Sequence, residues 1–280
     1  MAGLDVHQHL WPPQLIETLR RRSTPPRLDG DVLLLREGRF PVELRAHRLD
    51  ERLALLDRNG IDTALVSLQP TLDLEAAPEL ADAYHEGVPE LVTASGGRVR
   101  AFAAGACLDG FAGACVSAGR LVKGLGGLPG ELERVGQVLF VHPGPAMPPP
   151  DAAPAWWTVV VDYTAQMQAA YLAWLAEGAG RHPAVPVVFA LLAGGAPLQL
   201  ERLADRSGDS WPIAPTVYLE GSSYGQRALQ LALDVHGRDR LLYGSDVPVA
   251  DPARSLAALA ELDEAVRRSV LVDNPLRLFG

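Results

Sequence analysis

The sequence has few cysteines and lacks the motifs of several common protein classes. Its two cysteines, Cys107 and Cys115, have no CxxC spacing and lie in apolar stretches, so we expect buried thiols and exclude a disulfide scaffold. No GxGxxG follows the first predicted strand and no P-loop sequence occurs, which argues against nucleotide-binding folds. The longest apolar run, Val185 to Leu198, contains two Pro and two Gly and is too short to span a bilayer.

Basic residues are also scarce relative to acidic ones. The chain carries 25 Lys+Arg against 34 Asp+Glu, a formal net charge of −9, which argues against nucleic-acid and anionic-membrane partners. The first residues, MAGLDVHQHLWPP, lack the basic region and apolar core of a signal peptide. We therefore expect a cytoplasmic protein whose partner is a small-molecule substrate, with homo-oligomerisation left open.

The sequence does contain a regular alternation of short apolar runs and helical patterns along its 280 residues. Runs such as VPVVFALL and LLYG are apolar on both faces, as is typical of parallel strands that are covered on each side. Eight such strands predict an α/β protein with a single (β/α)8 TIM barrel, in one domain over residues 1–280. The predicted strands are Leu4–Leu10, Thr63–Leu68, Val99–Ala106, Gly113–Gly119, Val138–His142, Val187–Leu192, Thr216–Gly221 and Leu241–Ser245.

One segment interrupts this alternation. Residues 24–45, TPPRLDGDVLLLREGRFPVELR, follow the first strand and precede the first predicted helix. Two apolar runs flanking Arg-Glu-Gly are typical of a β-hairpin. We expect this insertion to form a wall or lid over one end of the barrel.

Metal-binding side chains occur where predicted strands end. His7 and His9 are two residues apart on the first strand, so both point to the same face. His142 ends the strand VLFVH, and Asp246 follows the strand LLYGS. In a barrel the carboxyl ends of the strands surround the active site, so these four side chains are candidate ligands for zinc, with manganese as the alternative.

These motifs together resemble the amidohydrolase-related family. HQH in the first strand, VHPG in mid-chain, YGSDVP late in the chain and the terminal NPLRLFG carry the resemblance, and GIDTALVSLQP and GGAPLQLERL are also similar. This branch of the amidohydrolase superfamily contains aminocarboxymuconate semialdehyde decarboxylase, aromatic acid decarboxylases and lactone hydrolases. The resemblance covers residues 4–280 and implies a barrel with one metal at His7, His9, His142 and Asp246. Residues 111–120 contain no lysine and no carboxylate, so we expect no second metal.

The chain departs from the family at one position. Family members commonly carry a His just before the Gly-Gly that follows the sixth strand, where Leu192 appears in this sequence. Asp246 would remain as the catalytic general base beside a metal-bound water. The polar residues that follow predicted strands are candidates for binding substrate or replacing that His, and Trp11 is a candidate for lining the pocket. The polar candidates are Gln69, Glu220, Ser222, Ser223 and Tyr224.

Three functions are consistent with these features. The leading hypothesis is a metal-dependent hydrolase that acts on a small ester, lactone or amide, and the first alternative is a non-oxidative decarboxylase of a small, possibly aromatic, carboxylic acid. The second alternative is a barrel that binds ligands without turnover, because Leu192 cannot transfer a proton. The remaining histidines His47, His85 and His236 lie in helical patterns, where we expect exposed or capping roles.

Overall fold

The computed structural model describes residues 3–105 and 109–280. Its strands are β1 (Gly3–Gln8), β2 (Arg27–Asp29), β3 (Val32–Leu35), β4 (Gly38–Pro41), β5 (Ile61–Val66), β6 (Val99–Ala101), β7 (Ala103–Ala104), β8 (Gly113–Ser117), β9 (Val138–His142), β10 (Val187–Phe189), β11 (Val217–Glu220) and β12 (Leu241–Leu242). Its α-helices are α1 (Pro13–Arg21), α2 (Leu49–Asn59), α3 (Pro78–Ala94), α4 (Ala118–Lys123), α5 (Leu128–Val135), α6 (Tyr163–Ala173), α7 (Ala179–Arg181), α8 (Leu200–Ser207), α9 (Gln226–His236), α10 (Pro252–Ala260), α11 (Glu264–Arg268) and α12 (Asn274–Phe279).

Short tight and wide helical turns complete the secondary structure. The 3₁₀ turns are Leu44–His47, Pro70–Leu72, Arg238–Arg240 and Leu191–Gln199, the last of which is interrupted by left-handed residues at 191–195. The π-helical turns are Thr158–Asp162, Trp174–Gly178 and Ser269–Asp273. None of the helices in the described ranges is long and apolar enough to cross a membrane.

The central strands form two parallel sheets. Their orders are β1-β5-β6 and β12-β11-β10-β9-β8-β7. Backbone hydrogen bonds join the first strand and the residue after it to the segment that follows the last strand, from Val6 N to Tyr243 O at 3.0 Å and from His9 N to Val247 O at 2.7 Å. Strands β1, β9 and β11 are buried along their whole lengths, as expected for parallel strands with covered faces. The predicted α/β class is confirmed, and each of the eight predicted strands overlaps an observed one.

Two details differ from the sequence-based expectation. Helix α1 lies between the first strand and the inserted segment, before the segment counted as the first predicted helix, and it buries Leu15 and Leu19. The third predicted strand, Val99–Ala106, is divided at Phe102 into β6 and β7, and its last residue lies outside the described residues. Cys107 lies outside them too, whereas Cys115 is buried as a free thiol.

The inserted segment contains its own small antiparallel sheet. Strands β2, β3 and β4 pair in that order, with Leu33 opposite Leu28 on one side and Phe40 on the other. Leu28 and Leu33 are buried in a cluster that also contains Trp11. These apolar contacts hold the segment against the residues that follow β1.

Candidate metal centre and cavity

Four side chains from distant parts of the chain meet at one end of the strands. They are His7 in β1, His9 just after it, His142 at the end of β9 and Asp246 after β12. One potential ligand atom from each lies within 4.8 Å of the others, and all four residues are buried. The two parallel sheets bring their carboxyl ends together here, which explains how residues far apart in sequence converge.

Each of the three imidazoles has its Nδ1 engaged by an oxygen atom. His7 Nδ1 lies 2.7 Å from Glu220 Oε2, His9 Nδ1 lies 3.0 Å from the Ser67 carbonyl, and His142 Nδ1 lies 2.8 Å from the Pro143 carbonyl. An Nδ1–H that donates to oxygen leaves the Nε2 lone pair of a neutral ring free. This is the arrangement that metal-binding histidines require, with a carboxylate or carbonyl fixing each ring.

The atoms that face one another inside this cluster lack hydrogen-bond partners. His9 Nε2 lies 3.0 Å and His7 Nε2 3.5 Å from Asp246 Oδ1, but these buried atoms make no hydrogen bond of acceptable geometry within the described chain. Buried polar atoms without partners are costly. Two imidazole nitrogens and a carboxylate oxygen are suitable ligands for a divalent cation, so the residues fit such an ion.

The electrostatic environment of the cluster also favours a cation. Burial opposes a charge on His7, but Glu220 and Asp246 outweigh it and raise its pKa to about 9. Burial lowers the pKa of His9, and burial together with the neighbouring His7 and His9 lowers that of His142. Burial opposes ionisation of Asp246, but the three histidines outweigh it and lower the pKa of its carboxyl. The two carboxylates that favour a proton on His7 would also favour a metal cation in its place, and the rings of His9 and His142 remain neutral.

A network of buried polar residues holds together the strands that carry the cluster. Asp5 accepts hydrogen bonds from His7 N at 3.1 Å and Ser245 N at 3.1 Å, which ties β1 to the segment after β12. Gln8 donates to Asp5, and Arg52 donates to Gln8 at 2.8 Å. Burial raises the pKa of Asp5 to about 6. Asp5 therefore positions the strands and lies outside the group of potential metal ligands.

A cavity of about 640 Å³ opens above the cluster. Of the residues predicted to bind substrate, Trp11, Gln69, Ser223 and Tyr224 line this cavity. Trp11 Nε1 donates to Gln69 Oε1 at 2.6 Å, so this pair is held in place. The other lining residues are largely apolar and include Leu33, Leu35 and Phe40 from the inserted sheet and Val159, Val160 and Tyr163 from the segment leading into α6.

The prediction for Ser222 needs correction. This residue is fully buried and is absent from the described lining of the cavity. Its hydroxyl donates to Glu220 Oε2 at 3.0 Å, and its backbone N–H donates to Glu220 Oε1. Ser222 therefore supports the carboxylate that orients His7, a role that its position two residues after Glu220 explains.

The resemblance led us to expect Leu192 at the site, but the preceding residue is the one that faces the cavity. Leu191 lines the cavity, whereas Leu192 is buried and is not among the lining residues. Five consecutive residues, 191–195, have positive φ, and three of them are not glycine. This left-handed backbone turns the side chain of Leu191 rather than that of Leu192 toward the cavity, so the site has an apolar residue at this wall.

The expectation of exposed or capping roles for three histidines was largely wrong. His47 is 4% exposed and lines the cavity, and His236 is 6% exposed and contacts the Tyr171 hydroxyl at 3.0 Å. His85 is partly buried, and its Nε2 accepts a hydrogen bond from Ala104 N at 2.8 Å. The local helical pattern gave no signal of these contacts, because they come from residues distant in sequence.

Comparison with known proteins adds a family and a fold. A family model described as Amidohydrolase matches residues 130–280, which is more than half of the chain. Structures of similar fold include IDCase from Metarhizium anisopliae, with 21% identity and a TM-score of 0.79 over 99% of this chain and 97% of that one. They also include 5-carboxyvanillate decarboxylase from Sphingomonas paucimobilis, with 18% identity and a TM-score of 0.76 over 99% and 98%.

A third structure contains a metal. It is a dihydroxybenzoic acid decarboxylase from a Polaromonas species with bound manganese and the inhibitor 2-nitroresorcinol, at 18% identity and a TM-score of 0.72 over 99% of this chain and 96% of that one. At these identities the likeness establishes a shared α/β fold.

Proposed function

The chain belongs to the amidohydrolase family, and from this premise we propose that it catalyses the non-oxidative decarboxylation of a small aromatic carboxylic acid. The observation that carries the proposal is a set of three imidazoles and one carboxylate, with unpartnered inner atoms, at the base of an apolar cavity. Several structures of similar fold are decarboxylases of hydroxylated aromatic acids, which favours this reaction over the hydrolysis preferred from the sequence.

We propose that His7, His9, His142 and Asp246 hold one divalent metal. Three structures of similar fold contain manganese, so we favour manganese over zinc, which was the first expectation. When bound, such a cation acts as a Lewis acid that stabilises negative charge on substrate oxygens. Glu220 and the Ser67 and Pro143 carbonyls fix the three rings for this role.

The charge of the cavity supports a substrate with a single acidic group. Among its described lining residues there is no Lys or Arg, while Glu43 and Asp246 are acidic. A second carboxylate on the substrate would be taken out of water without a cationic side chain to pair with it, which is costly. Trp11, Phe40 and Tyr224 provide aromatic surface for the ring of the substrate.

We assign proton transfer to Asp246. In decarboxylation the bond between the ring carbon and the carboxylate breaks, carbon dioxide leaves, and the ring carbon keeps the bonding pair and takes a proton. Asp246 belongs both to the ligand cluster and to the cavity wall. Its carboxyl can therefore receive a proton from solvent or a substrate hydroxyl and pass it to the ring carbon.

Hydrolysis of an ester, lactone or amide is the second candidate, because the matching family model is that of amidohydrolases. Asp246 would then accept the proton of the attacking water. Binding without turnover is set aside, since the chain belongs to a family of enzymes.

We further propose that the two parallel sheets constitute one closed (β/α)8 barrel in a single domain, with residues 24–45 as a lid. The hydrogen bonds between β1 and the residues after β12 support closure on one side. Leu33, Leu35 and Phe40 of the inserted sheet line the cavity, which supports the lid.

The function is tested by supplying manganese-loaded protein with 2,6-dihydroxybenzoate and a panel of other monohydroxy- and dihydroxybenzoates. We expect release of carbon dioxide and formation of the corresponding phenol, both lost in a His142→Ala variant that remains folded. Turnover of esters, lactones or anilides without any carbon dioxide release from the benzoates would overturn the decarboxylase proposal in favour of hydrolysis.

A further inference from the structure

His47 lies in the wall of the cavity as a buried aromatic ring. It ends the 3₁₀ turn Leu44–His47, directly after the inserted sheet. Its ring stacks on Trp11, with centroids 4.4 Å apart and planes inclined by 8°. The residue is 4% exposed and shares the cavity lining with His9 and Asp246.

The hydrogen bonds of His47 fix its tautomer. The Trp11 backbone N–H donates to His47 Nδ1 at 3.1 Å, so Nδ1 must carry a lone pair. In the neutral ring the hydrogen is then on Nε2. Burial, aided by the nearby Arg52 and His9, lowers the pKa of His47 to about 3. The ring consequently remains neutral, with Nε2–H as a donor, throughout the neutral pH range.

This donor has no acceptor within the described chain. His47 Nε2 is buried and makes no hydrogen bond there, and unlike the Nε2 atoms of His7 and His9 it does not belong to the candidate ligand cluster. A buried N–H without a partner costs free energy unless a ligand or water supplies an acceptor. The same cavity has no described Lys or Arg that could bind an oxygen of a ligand.

We propose that His47 is a substrate-binding residue whose Nε2–H donates to an acceptor oxygen, such as a carboxylate, nitro or phenolate oxygen, on a planar aromatic ligand. This rests on the proposed function, because it assumes an aromatic ligand in this cavity. A neutral donor on a ring clamped by Trp11 orients the ligand without adding charge. It also supplies a polar contact in a cavity whose wall is apolar at Leu191.

Two substitutions separate this role from the structural one. The side-chain oxygen of Asn in His47→Asn can replace Nδ1 as acceptor for Trp11 N but leaves no donor at the position of Nε2. The amide of Gln in His47→Gln can place an N–H near that position. The probe is 2-nitroresorcinol, and its affinity for the manganese-loaded protein is measured by titration calorimetry.

We expect His47→Asn to bind the probe about 10- to 100-fold more weakly than wild type, the range for a lost hydrogen bond to a charged group. His47→Gln should recover part of this loss. His236→Phe, which alters another buried histidine away from the cavity, should bind like wild type. Equal affinity of His47→Asn and wild type would overturn the proposal.

Long-range ¹H–¹⁵N spectra of the wild-type imidazoles provide a readout that needs no variant to fold. The His47 signals should show the Nε2–H tautomer, and the probe should shift its Nε2–H resonance. If the probe shifts the Trp11 indole signal but not that of His47, the His47 assignment is wrong while the aromatic ligand class stands. If the probe binds nowhere in the cavity, both the assignment and the proposed ligand class fail.

Discussion

Replacing Glu220 by Gln removes the charge that orients His7 while keeping the size of the side chain. Glu220 is fully buried, and its Oε2 lies 2.7 Å from His7 Nδ1, so it accepts the Nδ1–H and leaves Nε2 free for a metal. The amide of Gln can instead donate to Nδ1, which would place the hydrogen on Nε2 and block that ligand atom. Substitution of such supporting carboxylates typically lowers metal affinity 10- to 100-fold, or by about 1.4–2.8 kcal/mol.

Manganese affinity is measured by competition with a fluorescent chelator at pH 7 for wild type and Glu220→Gln. Glu37→Gln is the matched control, because Glu37 is also buried but bonds to the Tyr163 hydroxyl at 3.0 Å and not to a candidate ligand. We expect the control to bind manganese like wild type. If Glu220→Gln did so as well, with its fold intact, the orientation of His7 by Glu220 would not contribute to metal binding.

Two further predictions concern stability. Gly194→Ala should lower the free energy of unfolding by more than about 2 kcal/mol, because a Cβ there would lie 2.1 Å from the Thr164 carbonyl oxygen at a φ of +61°. The control is Gly130→Ala, which adds a Cβ in open space on α5 and should not destabilise the protein in urea titrations. Equal stability of the two variants would contradict this prediction. Burial lowers the pKa of His236 to about 4, so the unfolded chain binds its proton first and the free energy of unfolding falls as pH drops from 6.5 toward 4. Urea unfolding of His236→Phe should therefore show about 2 kcal/mol less loss than wild type between pH 7 and pH 5, and identical losses would refute it.

The candidate ligands could be predicted from sequence because each coincides with the end of an apolar strand. Strand alternation placed His7 and His9 on one face, and the parallel order of strands brought His142 and Asp246 to the same end. These signals are local and strong. The eight predicted strands correspond to observed strands for the same reason, although Phe102 divides one of them.

The rest of the site depends on contacts that no local pattern contains. His47 follows the inserted sheet and precedes α2, and its stacking on Trp11 and its hydrogen bond from Trp11 N hold it in the cavity wall. Ser222 was assigned to the substrate because it ends a strand, but the adjacent Glu220 takes its hydroxyl. The left-handed backbone at residues 191–195 places the side chain of Leu191, rather than that of Leu192, in the cavity wall. A strand pattern in the sequence cannot indicate this.

The central claim is that one divalent metal is held by His7, His9, His142 and Asp246. It is tested most directly by anomalous diffraction at the manganese edge from crystals of the manganese-loaded protein. The account predicts a single strong anomalous peak bounded by the three Nε2 atoms and the Asp246 carboxylate. A peak located elsewhere, or none among these four side chains while manganese remains bound in stoichiometric amount, would contradict it.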